Sequence, residues 1–134
     1  MPLVLDASVT AASGLADENS AYADAAMDLA VEQGAVVPSV WWYEVRNILI
    51  VAERRGRSTE PHSAQFLLAL GRLPIAIDRD QESDMVLALA RTHNLTAYDA
   101  AYLETAVRRD AILATLDRTL AKAAERQGVA LLSA

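Results

Sequence analysis

The run Ala111-Ile-Leu-Ala-Thr-Leu116, closed by Asp117, limits the folds open to this chain more than any other stretch. A short apolar segment without polar alternation reads as a strand covered on both faces, the kind found inside a parallel sheet. It follows directly on residues 95–110, where Leu95, Tyr98, Tyr102, Ala106 and Val107 recur at three- and four-residue steps. That spacing predicts a helix with those side chains turned inward. A helix feeding a buried parallel strand implies an open α/β sheet, and such sheets place ligands beyond the C-terminal ends of their strands. Asp117 stands at that end, and Asp99 stands at the start of the preceding helix.

Pro2-Leu-Val-Leu-Asp6 repeats the arrangement, an apolar strand ending in an acid, before a short helix toward Gly14. The chain between the two strands is mainly helical. Asn19 or Ser20 caps a helix through Glu32, using Tyr22, Ala26, Leu29 and Ala30, and Gly34 stops it. Ala35–Pro38 reads as a strand, Ser39 begins a helix ending near Gly56, and Ser58 or Thr59 caps another with Pro61 in its first turn. Leu73–Ile77 is a short, irregular extended segment, and Asp80–His93 is a helix with Asn94 at its end. A last helix runs from Asp117 to Gln127, and Val129–Leu132 supplies a final strand. Strands alternating with helices predict an α/β fold, a mostly parallel sheet with helices on both faces and over half the chain helical. With 134 residues, the expectation is a single domain spanning 1–134.

Glu44 is the residue least explained by such a fold. It lies one turn from both Trp41 and Ile48, beside an apolar stripe, where a carboxylate is costly without a cation or a hydrogen bond. Asn47 shares its face, three residues on, whereas Arg46 points elsewhere. If the strands before Asp6 and Asp117 are both central, these two acids meet at one sheet edge, with Glu44 and Asp99 arriving on helices entered from that edge. Four convergent carboxylates repel unless neutralised, and Mg²⁺ or Mn²⁺ is the hard cation suited to oxygen ligands. Each acid also has a plainer reading. Asp6 and Asp117 fit helix N-caps, and Thr96-x-x-Asp99 approaches a capping box. Ser8 and Thr115 are placed to orient a ligand or to make ordinary backbone hydrogen bonds. Arg46, Arg79 and Arg118 are candidates for phosphate contacts, or solvated surface residues. His62 and His93 are isolated, and Trp41, Trp42 and Tyr43 read as core or partner-surface residues.

Composition removes several alternatives. Without cysteine there is no disulfide framework, thiolate metal site or thiol nucleophile. The chain lacks a Gly-rich phosphate loop and a Gly-x-Ser-x-Gly elbow, and Asp6-Ala-Ser8 lacks the second acid of an aspartyl-nucleophile phosphatase. The net charge of −6 disfavours nucleic-acid binding by electrostatics alone, yet it permits a nuclease whose acids hold metal. Charge is uneven: residues 17–32 hold five acids and no base, whereas residues 46–57 hold four arginines and one glutamate. No basic leader or membrane-length apolar segment is evident, so a cytoplasmic protein is expected.

Leu3-Val-Leu-Asp6-Ala-Ser8, Pro38-Ser-Val-Trp-Trp-Tyr-Glu44-Val-Arg-Asn47, Tyr98-Asp99-Ala-Ala-Tyr102 and Leu113-Ala-Thr115-Leu-Asp117, in that order, resemble a PIN-domain ribonuclease. The similarity is strongest to the toxin component of VapBC toxin–antitoxin modules and spans nearly the whole chain. It implies a three-layer α/β/α sandwich and a metal site formed by Asp6, Glu44, Asp99 and Asp117, supported by Ser8, Asn47 and Thr115. It further implies Mg²⁺- or Mn²⁺-dependent endonucleolytic hydrolysis of RNA, leaving 5′-phosphate and 3′-hydroxyl ends. The expected partners are RNA, a second copy of the chain in a homodimer, and an antitoxin that blocks the acids. Operator DNA would be met only through that antitoxin. Arg118 and Thr119 follow Asp117 where some relatives carry another acid, so the resemblance supports one metal ion better than two. A PIN-like module without catalytic activity and a metal-dependent DNA nuclease are the alternative readings.

Overall fold

In the computed structural model, which describes residues 1–133, four apolar runs form one parallel sheet. They are Leu3–Leu5 (β1), Ala35–Pro38 (β2), Ile75–Asp78 (β3) and Ile112–Ala114 (β4), side by side in the order β3-β2-β1-β4. β1 aligns Leu3, Val4 and Leu5 with Ile112, Leu113 and Ala114, and β2 aligns residue by residue with β3. Every residue of β1 and β2 is buried, which explains their continuous apolar sequences. β3 lies at the sheet edge with Ala76 exposed, and its weaker pattern follows from that position. The expected last strand shrinks to one parallel bridge, Leu113 with Leu131, bounded by two backbone hydrogen bonds of 2.9 Å.

The helices are Ala7–Ala12 (α1), Ala21–Gln33 (α2), Val40–Arg54 (α3), Glu60–Leu70 (α4), Ser83–His93 (α5), Ala97–Arg109 (α6) and Arg118–Arg126 (α7). The chain advances from β1 to β2 to β3 and then crosses back past β1 to reach β4. Right-handed crossovers moving in opposite directions put their helices on opposite faces, which gives the α/β sandwich. α6 packs across β2, β1 and β4 with α5 and α7 beside it, while α1 joins α2 and α3. The reversal in strand order lies between β1 and β4, the switch point where open α/β sheets leave a crevice. Among the described residues no helix is long and apolar enough to cross a membrane.

Helix starts follow local chemistry. Ser20, Thr59 and Thr96 accept hydrogen bonds from the N–H groups of Ala23, His62 and Asp99, and Gly34 adopts the positive φ of 82° that ends α2. Two sequence expectations need correction. α5 begins at Ser83 rather than Asp80, because Asp80 N–H donates to Asp78 Oδ1 and Gln81 Nε2 donates to Asp78 O, folding this segment back on β3. Tyr98 does not face the core: it is 62% exposed, in the first turn of α6.

A charged network closes the β3 side of the molecule. The side chains of Asp78 and Glu104 have no exposed surface. Arg108 donates to both oxygens of Asp78 at 3.0 and 2.9 Å and to both oxygens of Glu104 at 2.9 and 3.1 Å. Arg109 adds a 2.7 Å bond to Asp78, and Glu82 N–H donates to Glu104 at 2.9 Å. Buried carboxylates require such pairing, and here it ties β3 to α5 and α6.

Candidate active site

Asp6 leaves β1 at the switch point and caps α1, accepting the Val9 N–H at 3.0 Å on Oδ1. Ser8 Oγ donates to the same oxygen at 2.6 Å, and the Thr115 hydroxyl donates to Oδ2. Asp6 is 4% exposed, yet each of its oxygens has a donor. From the neighbouring strand, Asp117 N–H donates to Thr115 Oγ1 at 2.9 Å, and Leu116 N–H donates to Ser8 Oγ at 3.2 Å. Ser8 and Thr115 therefore join the ends of β1 and β4. Asp117 caps α7, its Oδ1 accepting the N–H groups of Thr119 and Leu120 at 2.8 and 3.1 Å.

Glu44 approaches on α3. It is half-buried, and the compensating partner that its position demands is the Tyr102 hydroxyl, which donates to Oε1 at 2.6 Å. Sequence reasoning had placed Tyr102 in the apolar stripe of α6 and missed this contact. The available signal was a tyrosine, rather than a leucine, three residues after Asp99 and so on the same helix face. Tyr102 is 1% exposed, and burial together with the adjacent Glu44 carboxylate pushes its phenol pKa far up, keeping it a donor.

Electrostatics link the four acids. Burial pushes the Asp6 carboxyl up, against the hydrogen bonds from Ser8, Thr115 and Val9, and the charge of Asp117 adds to the rise. Glu44 is raised by burial, then by Asp99 and Asp6, with Tyr102 opposing. Asp99 is raised by burial and by the charges of Asp117 and Asp6. The ion pairs among the described residues fall on Asp17, Glu18, Asp78 and Glu104, so none offsets these carboxylates. As the side chains stand, no three His, Cys, Asp or Glu residues among those described converge into a closed ligand set. The donor chemistry nevertheless fits a hard divalent cation: four carboxylates short of basic partners, with burial and neighbouring acids disfavouring the ionised forms of Asp6, Glu44 and Asp99.

The other predicted residues are distributed around this centre. Asn47 lines an open hollow of about 250 Å³ with Glu44, Tyr43, Tyr98 and Val40. Arg46 lies 3.7 Å from the Trp42 ring centroid and donates to the Trp42 carbonyl, while Arg79 and Arg118 are exposed. Trp41 is buried and its indole N–H donates to Thr10 Oγ1 at 2.9 Å, whereas Trp42 and Tyr43 are exposed. A hollow of about 330 Å³ among Pro2, Gln33 and Pro74 opens at the opposite, N-terminal edge of the strands and carries no acid.

The fold has counterparts in known proteins. The profile of the PIN domain matches residues 3–126. The chain is 35% identical over 125 residues to the Ribonuclease VapC3 of Pyrobaculum aerophilum, covering 91% of this chain and 94% of that protein. The crystal structure of PAE2754 from the same organism superposes with a TM-score of 0.73 at 25% identity, over 92% of this chain and 86% of the other. VapC20 of Mycobacterium tuberculosis, a Sarcin-Ricin loop cleaving toxin, shares the fold at a TM-score of 0.61 and 13% identity, over 90% and 94% of the two chains. FitAcB of Neisseria gonorrhoeae shares it at 0.60 and 19%, over 98% and 96%.

Proposed function

The chain belongs to the PIN-domain family, among the VapC-type ribonuclease toxins, and from that premise we propose that it is a metal-dependent endoribonuclease held in check by an antitoxin. One observation carries the reading beyond family membership: four carboxylates, coupled to one another and short of basic partners, at the switch point of the sheet. Asp6, Glu44, Asp99 and Asp117 would hold the ion. When bound there, Mg²⁺ or Mn²⁺ supplies the positive charge that polarises a phosphoryl group. The chain's own part is positioning. Ser8 and Thr115 fix the orientation of Asp6, Tyr102 fixes Glu44, and Arg46, Arg79 and Arg118 are available for phosphates on either side. The proposed assembly is a homodimer with a small antitoxin covering the acids, and any contact with operator DNA is made through that partner.

The test is cleavage of matched RNA and DNA substrates with Mg²⁺, Mn²⁺ or EDTA, comparing wild type with Asp99→Asn. RNA-selective cleavage, abolished by EDTA and by D99N, is expected. Equal cleavage by wild type and D99N overturns the site assignment, and preferential DNA cleavage overturns the substrate assignment. Binding can be read without turnover. Saturating Mg²⁺ should stabilise the wild type by about 2.7 kcal/mol at a hundredfold excess over its dissociation constant. A thermal melt of D99N should show a clearly smaller shift.

Tyr102→Phe isolates the positioning hydroxyl. Removing a donor that orients a metal-binding carboxylate costs about 10- to 100-fold in metal affinity or activity. Calorimetric titration of Y102F with Mg²⁺ should show that weakening while circular dichroism stays unchanged. An unaltered isotherm would make the Tyr102–Glu44 contact purely structural.

A further inference from the structure

Two polar side chains sit in the buried seam between α1 and α3, where packing alone asks for none. Thr10 has no exposed surface and Trp41 is 5% exposed. The Trp41 indole N–H donates to Thr10 Oγ1 at 2.9 Å, and the Thr10 hydroxyl donates to the Asp6 carbonyl at 2.9 Å. The direction of this chain is fixed, because an indole N–H only donates and a carbonyl only accepts. The same carbonyl accepts the Thr10 N–H at 3.2 Å, and the Asp6 N–H donates to the Ala114 carbonyl at 3.1 Å. Both sides of the Asp6 main chain are therefore tied down, and one tie leads out of its own helix into α3. A threonine bonded to the carbonyl four residues back is ordinary in a helix; an indole reaching it from another helix needs a reason. Apolar side chains of matching shape at both positions would cost the fold little.

We propose that Trp41 and Thr10 are positioning residues for the acidic centre, a buried tether from α3 to the Asp6 backbone that sets the spacing of Glu44 from Asp6. The proposal rests on the reading of the four acids as a cation site and adds what holds two of them at the required separation. Glu44 lies three residues after Trp41 on the same face of α3, and Asp6 lies one turn before Thr10. The two carboxylates repel, the Asp6 charge helping to hold the Glu44 carboxyl up. With no cation between them, that repulsion drives α3 away from the end of β1, and the indole bond opposes it. The other legs of the frame are already in place. Tyr102 ties Glu44 to α6, and Ser8 and Thr115 tie β1 to β4. The Trp41–Thr10 bond supplies the leg from α3 to Asp6. Mg²⁺ demands near-ideal placement of its oxygen ligands, so a small drift of α3 is felt directly in affinity.

The test compares calorimetric Mg²⁺ titrations with urea midpoints in EDTA, using the full chain throughout. Thr10→Val should weaken Mg²⁺ binding about 10- to 100-fold, the range for groups that orient metal-binding side chains. It should also lower the urea midpoint, because it strands the buried indole N–H. Thr10→Ser, which keeps the hydroxyl, should restore the affinity. In the T10V/W41F double variant no indole is left unmatched, so the midpoint should fall no further than in W41F alone, while Mg²⁺ binding stays weak. That split between stability and affinity is what ordinary packing cannot produce. Wild-type Mg²⁺ affinity in T10V, or affinity that recovers together with the midpoint in the double variant, overturns the tether and leaves the cation reading intact. Failure of T10S to restore binding overturns it as well. If T10V does not fold, Trp41→Phe decides: it leaves Thr10 bonded to Asp6 and cuts only the tie to α3. A weakened isotherm for W41F then supports the tether, and an unaltered one overturns it. If wild type binds no Mg²⁺, the cation site itself fails, and the tether with it.

Discussion

Asp6→Asn is expected to lose about a thousandfold or more in RNA hydrolysis while folding at least as stably as the wild type. A contact that helps neutralise a phosphoryl transition state is worth several kcal/mol, and each 1.36 kcal/mol is a decade of rate. Stability should move the other way. Asn keeps the oxygen that accepts Val9 N–H, so the α1 cap survives, Asn and Asp being near-equal caps. It removes a buried charge whose ionisation is disfavoured by desolvation and by Asp117. Initial rates on RNA and urea denaturation in EDTA separate the two effects. Rate and stability falling together would indicate a structural acid, and an unchanged rate would remove Asp6 from the site. Opposite movements are the signature of a group retained for chemistry at a cost to the fold.

Arg108→Met should cost about 3–5 kcal/mol, the range for stranding a buried ionic partner. Glu104 would keep only the Glu82 N–H, and Asp78 would fall back on Arg109, Asp80 N–H and Gln81. Against a typical domain stability of about 5–15 kcal/mol, the variant would be near its unfolding threshold. The network also sets a pH dependence. The Arg108 guanidinium, ahead of Arg109 and Asp80 N–H, holds the Asp78 carboxyl well below the usual range. Near pH 4 the unfolded chain therefore binds more protons than the folded one at this site, and stability rises with pH. The contribution is complete above the unfolded carboxyl value of about 3.9 and is lost as pH falls toward the folded value. Urea midpoints collected between about pH 3 and pH 7 should show that acid limb in wild type and a shallower one in R108M. Parallel limbs would mean that Arg108 is not what lowers Asp78.

The parts of this architecture legible in the sequence were those whose signal is local. Leu3–Leu5 and Ile112–Ala114 announced themselves because strands covered on both faces have no polar alternation. The caps at Ser20, Thr59 and Thr96 and the stop at Gly34 depend on one side chain or one dihedral each. Tyr98 was misread because helical spacing shows which residues share a face, not whether that stretch of helix still has a neighbour over it. Glu44 could be singled out by the cost of its position, but its partner lies 58 residues away and only the fold brings the pair together. Asp78 hid inside the polar turn Asp78-Arg79-Asp80, which reads as solvated. Glu104, with Arg108 one turn on, offered the stronger hint, since an acid among Leu103, Thr105 and Ala106 needs a cation.

Asp6 and Asp117 each hold the first amides of a helix with the same carboxylate that faces the other acids. The amides concerned are that of Val9, on Asp6 Oδ1, and those of Thr119 and Leu120, both on Asp117 Oδ1. Were Asp6 and Asp117 to hold an ion as proposed, its charge would act on carboxylates that already carry the leading turns of α1 and α7, and those three amides would report its occupancy.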